Sequence, residues 1–262
     1  MNYLIKLFNK FKAYYYYLIN HNSRKYFFIL ISRKIFNLFI RSNISKIKND
    51  FILTWCERNK ISEKEFYLKI HLKKPRNFFE KEKEYYNFAK LKQKKLNYKM
   101  GGMAHLNLIY NLILYLKPKK ILETGVAFGW STLVLILSKQ KNSNLTSIDL
   151  SYPTKNSEKL VGGAIPSNLK NKFTLLMGID NYYLKKFCKQ KKTYDFIHYD
   201  SDKSYDGRKK NYDLIWKLLD KNGCFISDDI SDNSAFYEFI SLKKLKFYSL
   251  KLNNKFVGVI FK

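Results

Sequence analysis

Lys119-Lys-Ile-Leu-Glu123-Thr-Gly125-Val-Ala-Phe-Gly129-Trp-Ser131, continued by an apolar run to Ser138 and by Leu145-Thr-Ser-Ile-Asp149, decides the fold of this chain. A short apolar strand reaches an acid at Glu123. A turn punctuated by Gly125 and Gly129 follows, and an apolar helix starts near Trp130. A second strand then ends on Asp149. Strand, glycine turn, helix and strand make one βαβ unit, and such a unit carries a nucleotide-type pocket at the carboxyl edge of its strands.

Outward from this unit the alternation continues. Strands are predicted at 121–123, 145–149, 173–177, 194–199 and 224–227, and helices at 131–138, 182–189, 208–219 and 234–242. The tail reads Phe247 to Leu252, Asn253-Asn254, then Lys255 to Phe261, which is a hairpin pattern. Regular alternation with a closing hairpin predicts an α/β fold: a mostly parallel seven-stranded sheet, helices on both faces and an antiparallel C-terminal hairpin. Upstream, His105 to Leu116 is an apolar helix ending before Pro118, and Met100-Gly-Gly-Met103 is a break. The domain is therefore expected to span 99–262. Residues 1–98 read as a basic, mainly helical extension in which Pro75 separates two helices.

The 262 residues carry a formal charge of +29. The cations are 44 Lys and 6 Arg, so the residue best suited to bidentate phosphate and base contacts is scarce. Lysine spread over solvated faces is the plainer reading, and nucleic acid is the secondary one. The first 49 residues hold ten Lys or Arg and no acid, with Tyr and Phe interleaved. Their apolar runs fall well short of the ~20 residues of a membrane span. This segment reads as amphipathic helices packed on the domain, or lying peripherally on an anionic inner membrane surface. Cys56, Cys188 and Cys224 share no metal or disulfide spacing and suit a reducing, cytoplasmic compartment.

The turn lacks the middle glycine that lets backbone approach a diphosphate. Glu123 would repel a phosphate and attract a cation. Asp149 stands 20 residues past Gly129, where a strand-end carboxylate takes ribose hydroxyls. Ribose and positive charge without phosphates describe S-adenosylmethionine. Over about residues 100 to 262 the chain resembles the class I, Rossmann-like S-adenosylmethionine-dependent methyltransferases, through Glu123-Thr-Gly125-x-x-x-Gly129-Trp-Ser131, Asp149 and Gly178-Ile-Asp180. The resemblance implies that Glu123, Gly125, Gly129 and Ser131 flank the methionine part of the cofactor, Asp149 holds the ribose and Asp180 lies near the adenine.

Two more acidic clusters end the fourth and fifth strands, Asp200-Ser-Asp202-Lys203-Ser-Tyr205 and Ser227-Asp228-Asp229. Carboxylates gathered on one sheet edge repel unless a cation intervenes, and hard oxygen ligands on short loops suit Mg²⁺. These clusters resemble the metal-dependent small-molecule and sugar O-methyltransferases, the macrolide-sugar and cephalosporin-pathway type with its Asp-x-Asp-His-x-Tyr pattern. The resemblance implies Asp200, Asp228 and Asp229 as metal ligands and Asp202 as catalytic base. Lys203 stands where that group has His, which makes it a second catalytic candidate. Ala164-Ile-Pro-Ser-Asn-Leu169 resembles the same group. The expected activity is methylation of a hydroxyl on a sugar or other small metabolite with a divalent metal. The rivals are an RNA methyltransferase with a basic N-terminal arm, and a non-catalytic membrane-associated protein that keeps only the fold. His198 reads as a core histidine.

Overall fold

A computed structural model of the chain describes residues 49–96, 100–103, 105–150, 157–252 and 254–262, together with Tyr15, Leu18, Ile19 and Arg24. The amphipathic, membrane-facing reading of residues 1–49 falls almost wholly outside the described residues. No helix among them is long and apolar enough to cross a membrane.

In chain order the elements begin with helix α1 (Asn49–Asn59), strand β1 (Lys60–Ile61) and helices α2 (Glu63–Lys69), α3 (Phe78–Lys81), α4 (Lys83–Lys94) and α5 (Leu106–Leu116). The alternating part follows: β2 (Lys120–Thr124), α6 (Trp130–Ser138), β3 (Asn144–Asp149), β4 (Thr174–Met177), α7 (Asp180–Lys189), β5 (Tyr194–Tyr199), α8 (Tyr205–Leu218) and β6 (Leu219–Ser227). Helix α9 (Ala235–Lys243) and the hairpin β7 (Phe247–Leu252) and β8 (Lys255–Phe261) close the chain. Helix starts follow local chemistry. Ser62, Asn77 and Ser204 each accept a backbone N–H of the first turn on their side chains. Pro75 lies between α2 and α3, where the sequence places a break.

Among the described residues the sheet has eight strands in the order β1-β7-β8-β6-β5-β2-β3-β4. Strands β2 to β6 run parallel, and β8 lies antiparallel between β6 and β7. The fold class is as expected, with one strand more than the seven predicted. The extra strand, β1, holds only two residues and pairs Lys60 and Ile61 with Ser249 and Leu250. Strand β6 also starts earlier than Cys224. Its Leu219 pairs with Tyr194, residues 220–223 leave the ladder, and regular pairing resumes at Cys224 opposite Phe196.

Strand alternation sorts the core by face. Ile121, Leu145, Phe196, Ile226 and Val259 pack on one side with α5, α6 and Phe66, Phe78 and Ala89 of the N-terminal helices. Leu122, Ile148, Ile197, Phe225 and Ile260 pack on the other with α7, α8, α9 and Ile52 and Cys56 of α1. The described part of the extension therefore wraps the sheet. Helix α1 covers one face, β1 passes the β7 edge, and α2 to α4 cover the other face. Trp55 of α1 stacks on Phe247 of β7 at 5.1 Å between ring centroids.

Candidate active site

The parallel ladder runs one residue past the strands at their carboxyl ends. Gly178 N donates to Asp149 O (2.6 Å), Gly125 N to Ile148 O (2.8 Å), Asp200 N to Thr124 O (2.8 Å) and Asp228 N to Tyr199 O (3.0 Å). This lines Asp149, Gly125, Asp200 and Asp228 along one rim. The strand order reverses between β2 and β5, so the rim is centred on the switch point where ligands of open α/β sheets bind.

Backbone proximity explains both glycines of the turn. Gly125 has φ +90°, and a Cβ there would lie 2.2 Å from the Asp200 carbonyl oxygen. Gly129 has φ +98°, and its Cβ would meet Gly162 Cα at 2.9 Å. The segment after β3 lies against the turn, with Gly162 N donating to Ala127 O (3.0 Å) and Ala164 N to Phe128 O (2.8 Å). Asp149 shapes the turn as well, because its Oδ2 accepts from Val126 N and Ala127 N, each at 2.6 Å. Burial pushes the Asp149 carboxyl up to about 6, against the pull of these two N–H groups.

Glu123 faces inward. It is fully buried, and its carboxylate accepts from Ser131 Oγ (2.6 Å), Thr132 Oγ1 (2.6 Å) and Ser147 Oγ (2.7 Å). Glu123, expected beside the methionine part of a cofactor, lies behind the turn, where it anchors the start of α6, and Ser131 is spent on it. The missed signal was register: Glu123 pairs with Ser147 and with His198, and all three share a face. Asp180 is buried and also committed. Its Oδ2 accepts from Ser201 Oγ (2.5 Å) and Asn211 Nδ2 (2.9 Å), and its Oδ1 from Asn181 N (2.6 Å). Ser201 Oγ also lies 2.9 Å from Thr124 Oγ1, so this lacing joins the ends of β2, β4 and β5.

The acids at β5 and β6 meet cations of the chain itself. Lys203 Nζ lies 2.9 Å from Asp200 Oδ1 and contacts Asp229 Oδ2. Lys255 Nζ lies 2.9 Å from Asp229 Oδ1. Burial works against the Lys203 ammonium, but Asp200 and Asp229 override it and raise its pKa. Burial and the charge of Asp228 push Asp200 up to about 6, with Lys203 opposing. Asp228 is almost fully buried, 3.6 Å from His198 Nε2 and 3.9 Å from His105 Nε2, and neither of its oxygens has a hydrogen bond. Burial pulls His198 down, yet Asp228 and Glu123 together lift it to about 10. Burial holds His105 down, and Asp228 lies between the two imidazoles, where burial raises its carboxyl and both rings act to lower it.

A metal held jointly by Asp200, Asp228 and Asp229 does not fit this arrangement. Asp200 and Asp229 are bridged by an ammonium, and Asp228 turns to the imidazoles below them. Among the described residues no group of three or more His, Cys, Asp or Glu side chains is arranged to hold a metal ion. Asp202 Oδ1 accepts from Ser204 N (3.0 Å) and Ser204 Oγ (2.7 Å), next to the residue that caps α8. Sequence reasoning missed Arg208, a fully buried side chain whose guanidinium donates to Asp229 O (2.7 Å) and Asp228 O (3.1 Å). It supports a turn in which Asp229 has φ +52°. The signal available was its rarity, one of six arginines in a lysine-rich chain.

Residues 122–230 match a family model described as a methyltransferase domain. No curated protein sequence matches the chain at a significant level. Among solved structures, an O-methyltransferase from Bacillus cereus in complex with SAH superposes with a TM-score of 0.56 at 16% identity, over 80% of this chain and 100% of that one. The O-methyltransferase TomG from Streptomyces achromogenes, involved in tomaymycin synthesis and in complex with SAM, gives 0.55 at 14% identity, over 79% and 98%. The SAH-bound methyltransferase PaMTH1 from Podospora anserina gives 0.55 at 14%, over 81% and 94%. At these identities the likeness establishes the fold, and the domain match covers the whole stretch from the glycine turn to the Asp228-Asp229 pair.

Proposed function

We propose that this methyltransferase domain transfers the methyl group of S-adenosylmethionine to a hydroxyl of a small acceptor, a sugar or a metabolite of similar size. The observation that carries the reading is the turn after β2. It lies at the switch point, inside the matched domain, and is shaped by a buried carboxylate bound to two of its N–H groups. The cofactor supplies a sulfonium methyl; the acceptor oxygen bonds to that carbon as the carbon–sulfur bond breaks, its electron pair goes to sulfur, and the hydroxyl proton must leave.

The residues of the rim divide this work. Gly125 and Gly129 bring backbone close, and Asp149 fixes the turn while presenting a carboxylate to the ribose. Asp200, held near 6, is suited to take the proton at neutral pH. Lys203 keeps Asp200 and Asp229 in place and offers an ammonium to the developing alkoxide. Asp202, bound to Ser204, serves the start of α8. The acceptor class rests on the sequence resemblance at 164–169 and 200–205. It draws support from the O-methyltransferases of this fold seen with SAM or SAH.

Calorimetry with S-adenosylhomocysteine tests the reading. Wild type is expected to bind. Asp149→Ala should weaken binding by roughly tenfold or more, since hydrogen bonds to a charged group contribute about 1.5–3 kcal/mol each. Asp149→Asn, which can still accept both N–H groups, should fall between them. A wild-type protein that binds neither this compound nor S-adenosylmethionine sinks the proposal.

A further inference from the structure

We infer that the Lys203 ammonium is an internal cation standing where a divalent metal would otherwise bind, so that the chain balances its own acidic rim. Asp200 and Asp229 are the two carboxylates at the mouth of this rim, and Lys203 Nζ touches both. Lys255 adds a second ammonium to Asp229, at 2.9 Å from Oδ1 and 3.1 Å from Oδ2. Two carboxylates thus face two ammonium groups. The third carboxylate, Asp228, faces His198 instead.

The backbone is built to deliver the lysine to this place. Tyr199 Oη donates to Asp202 O (2.6 Å) and Asn233 Nδ2 donates to Lys203 O (2.9 Å), which pins the peptides on both sides of Lys203 in the β5–α8 turn. On the opposite wall the buried Arg208 holds the carbonyls of Asp228 and Asp229 and so presents the Asp229 carboxylate to the lysines. A magnesium-like ion needs several oxygen ligands and sheds its water reluctantly. To enter here it would have to expel an ammonium already paired with two carboxylates in a partly buried site. Removing one partner of such a pair leaves the others uncompensated. The inference rests on the proposed function only in placing the acceptor beside these residues.

Mn²⁺ titration of the full chain, followed by the electron paramagnetic resonance signal of free Mn²⁺, tests it without any acceptor. Wild type and Lys255→Met are expected to take up the ion weakly. Lys203→Met should bind it roughly tenfold or more tightly, because it exposes Asp200 and Asp229 to the ion. A thermal melt followed by circular dichroism on the same samples reports that the fold is intact, S-adenosylhomocysteine affinity is read separately, and Lys203→Gln carries the test if Lys203→Met does not fold. Wild type binding Mn²⁺ as tightly as the Lys203 variant overturns the inference, and so does a Lys203 variant with no gain. Loss of S-adenosylhomocysteine binding by wild type would count against the proposed function and leave this inference standing.

Discussion

Replacing Gly125 by alanine tests the geometry of the switch point directly. The residue sits at φ +90°, where a Cβ costs about 1 kcal/mol or more. That Cβ would also lie 2.2 Å from the Asp200 carbonyl oxygen and 2.5 Å from its carbon. Both are backbone atoms, so no side-chain rotation relieves the overlap, and the β5 end must recede by about 1 Å to restore contact distance. That movement pulls on the bonds from Asp200 N to Thr124 O and from Gly125 N to Ile148 O, both 2.8 Å. Overpacking of this kind costs about 1–3 kcal/mol, which brings the total to roughly 3 kcal/mol. For a chain of this size that corresponds to a melting temperature lower by about 6–12 °C. S-adenosylhomocysteine affinity should fall at the same time, by about tenfold or more, because the displaced backbone is the turn proposed to hold the cofactor. Scanning calorimetry and isothermal titration read the two effects. Gly102→Ala is the control, since a Cβ there meets nothing within 4 Å. Gly125→Ala with wild-type melting and wild-type affinity would refute the reasoning.

Asp149 has a folded pKa of about 6 against an ordinary 3.8, so the folded protein keeps this proton longer than the unfolded chain does. Its burial therefore costs nothing below the unfolded value, costs stability progressively as pH rises to about 6, and reaches about 2–3 kcal/mol above it. The melting temperature of Asp149→Asn should lack this component, and the difference between its pH–melting curve and that of wild type isolates it. Cofactor binding to the ionised form should release a proton below pH ~6, which titrations in buffers of different ionisation enthalpy detect. Arg208→Met leaves the carbonyls of Asp228 and Asp229 without their donor and should lower stability by about 2–4 kcal/mol, with Arg208→Lys restoring part of it in a urea melt. Ser147→Ala removes one of the three hydroxyls on buried Glu123 and should cost about 1–3 kcal/mol, whereas its effect on acceptor KM should be negligible.

Much of the fold was legible because β–α alternation and the closing hairpin are local patterns, and the observed elements from β2 to β8 fall within a few residues of the expected ones. Strand β1 was not legible. Two residues inside a charged helical region carry no periodicity, and their pairing with β7 depends on contacts across almost the whole chain. The site was half legible. Asp149, Asp200 and Asp228 do share one rim, since strand ends of a parallel sheet must. Which way Glu123 points is a different matter. Strand β2 is buried on both faces, so alternation does not tell cofactor side from core side, and only pairing with Ser147 and His198 resolves it. The metal expectation at Asp200, Asp228 and Asp229 rested on their shared charge and on the family resemblance. Lys203 entered it only in the place of a histidine, and the pairing of Lys255 with Asp229 joins residues 26 apart that no local pattern connects.

The passage of β1 along β7 has a bearing on association. The β7 side of the sheet would otherwise present a row of unpaired backbone groups, a template for pairing with another molecule. Lys60 and Ile61 take up Ser249 and Leu250, and Lys251 beside them is charged and paired with Glu57 of α1 at 2.6 Å. The N-terminal helices thus act as a guard on the sheet's open flank. Removing residues up to Ser62 would bare that flank together with the aromatic surface that Trp55 covers, and self-association on concentration would be the first defect of such a truncated protein, ahead of any loss of chemistry.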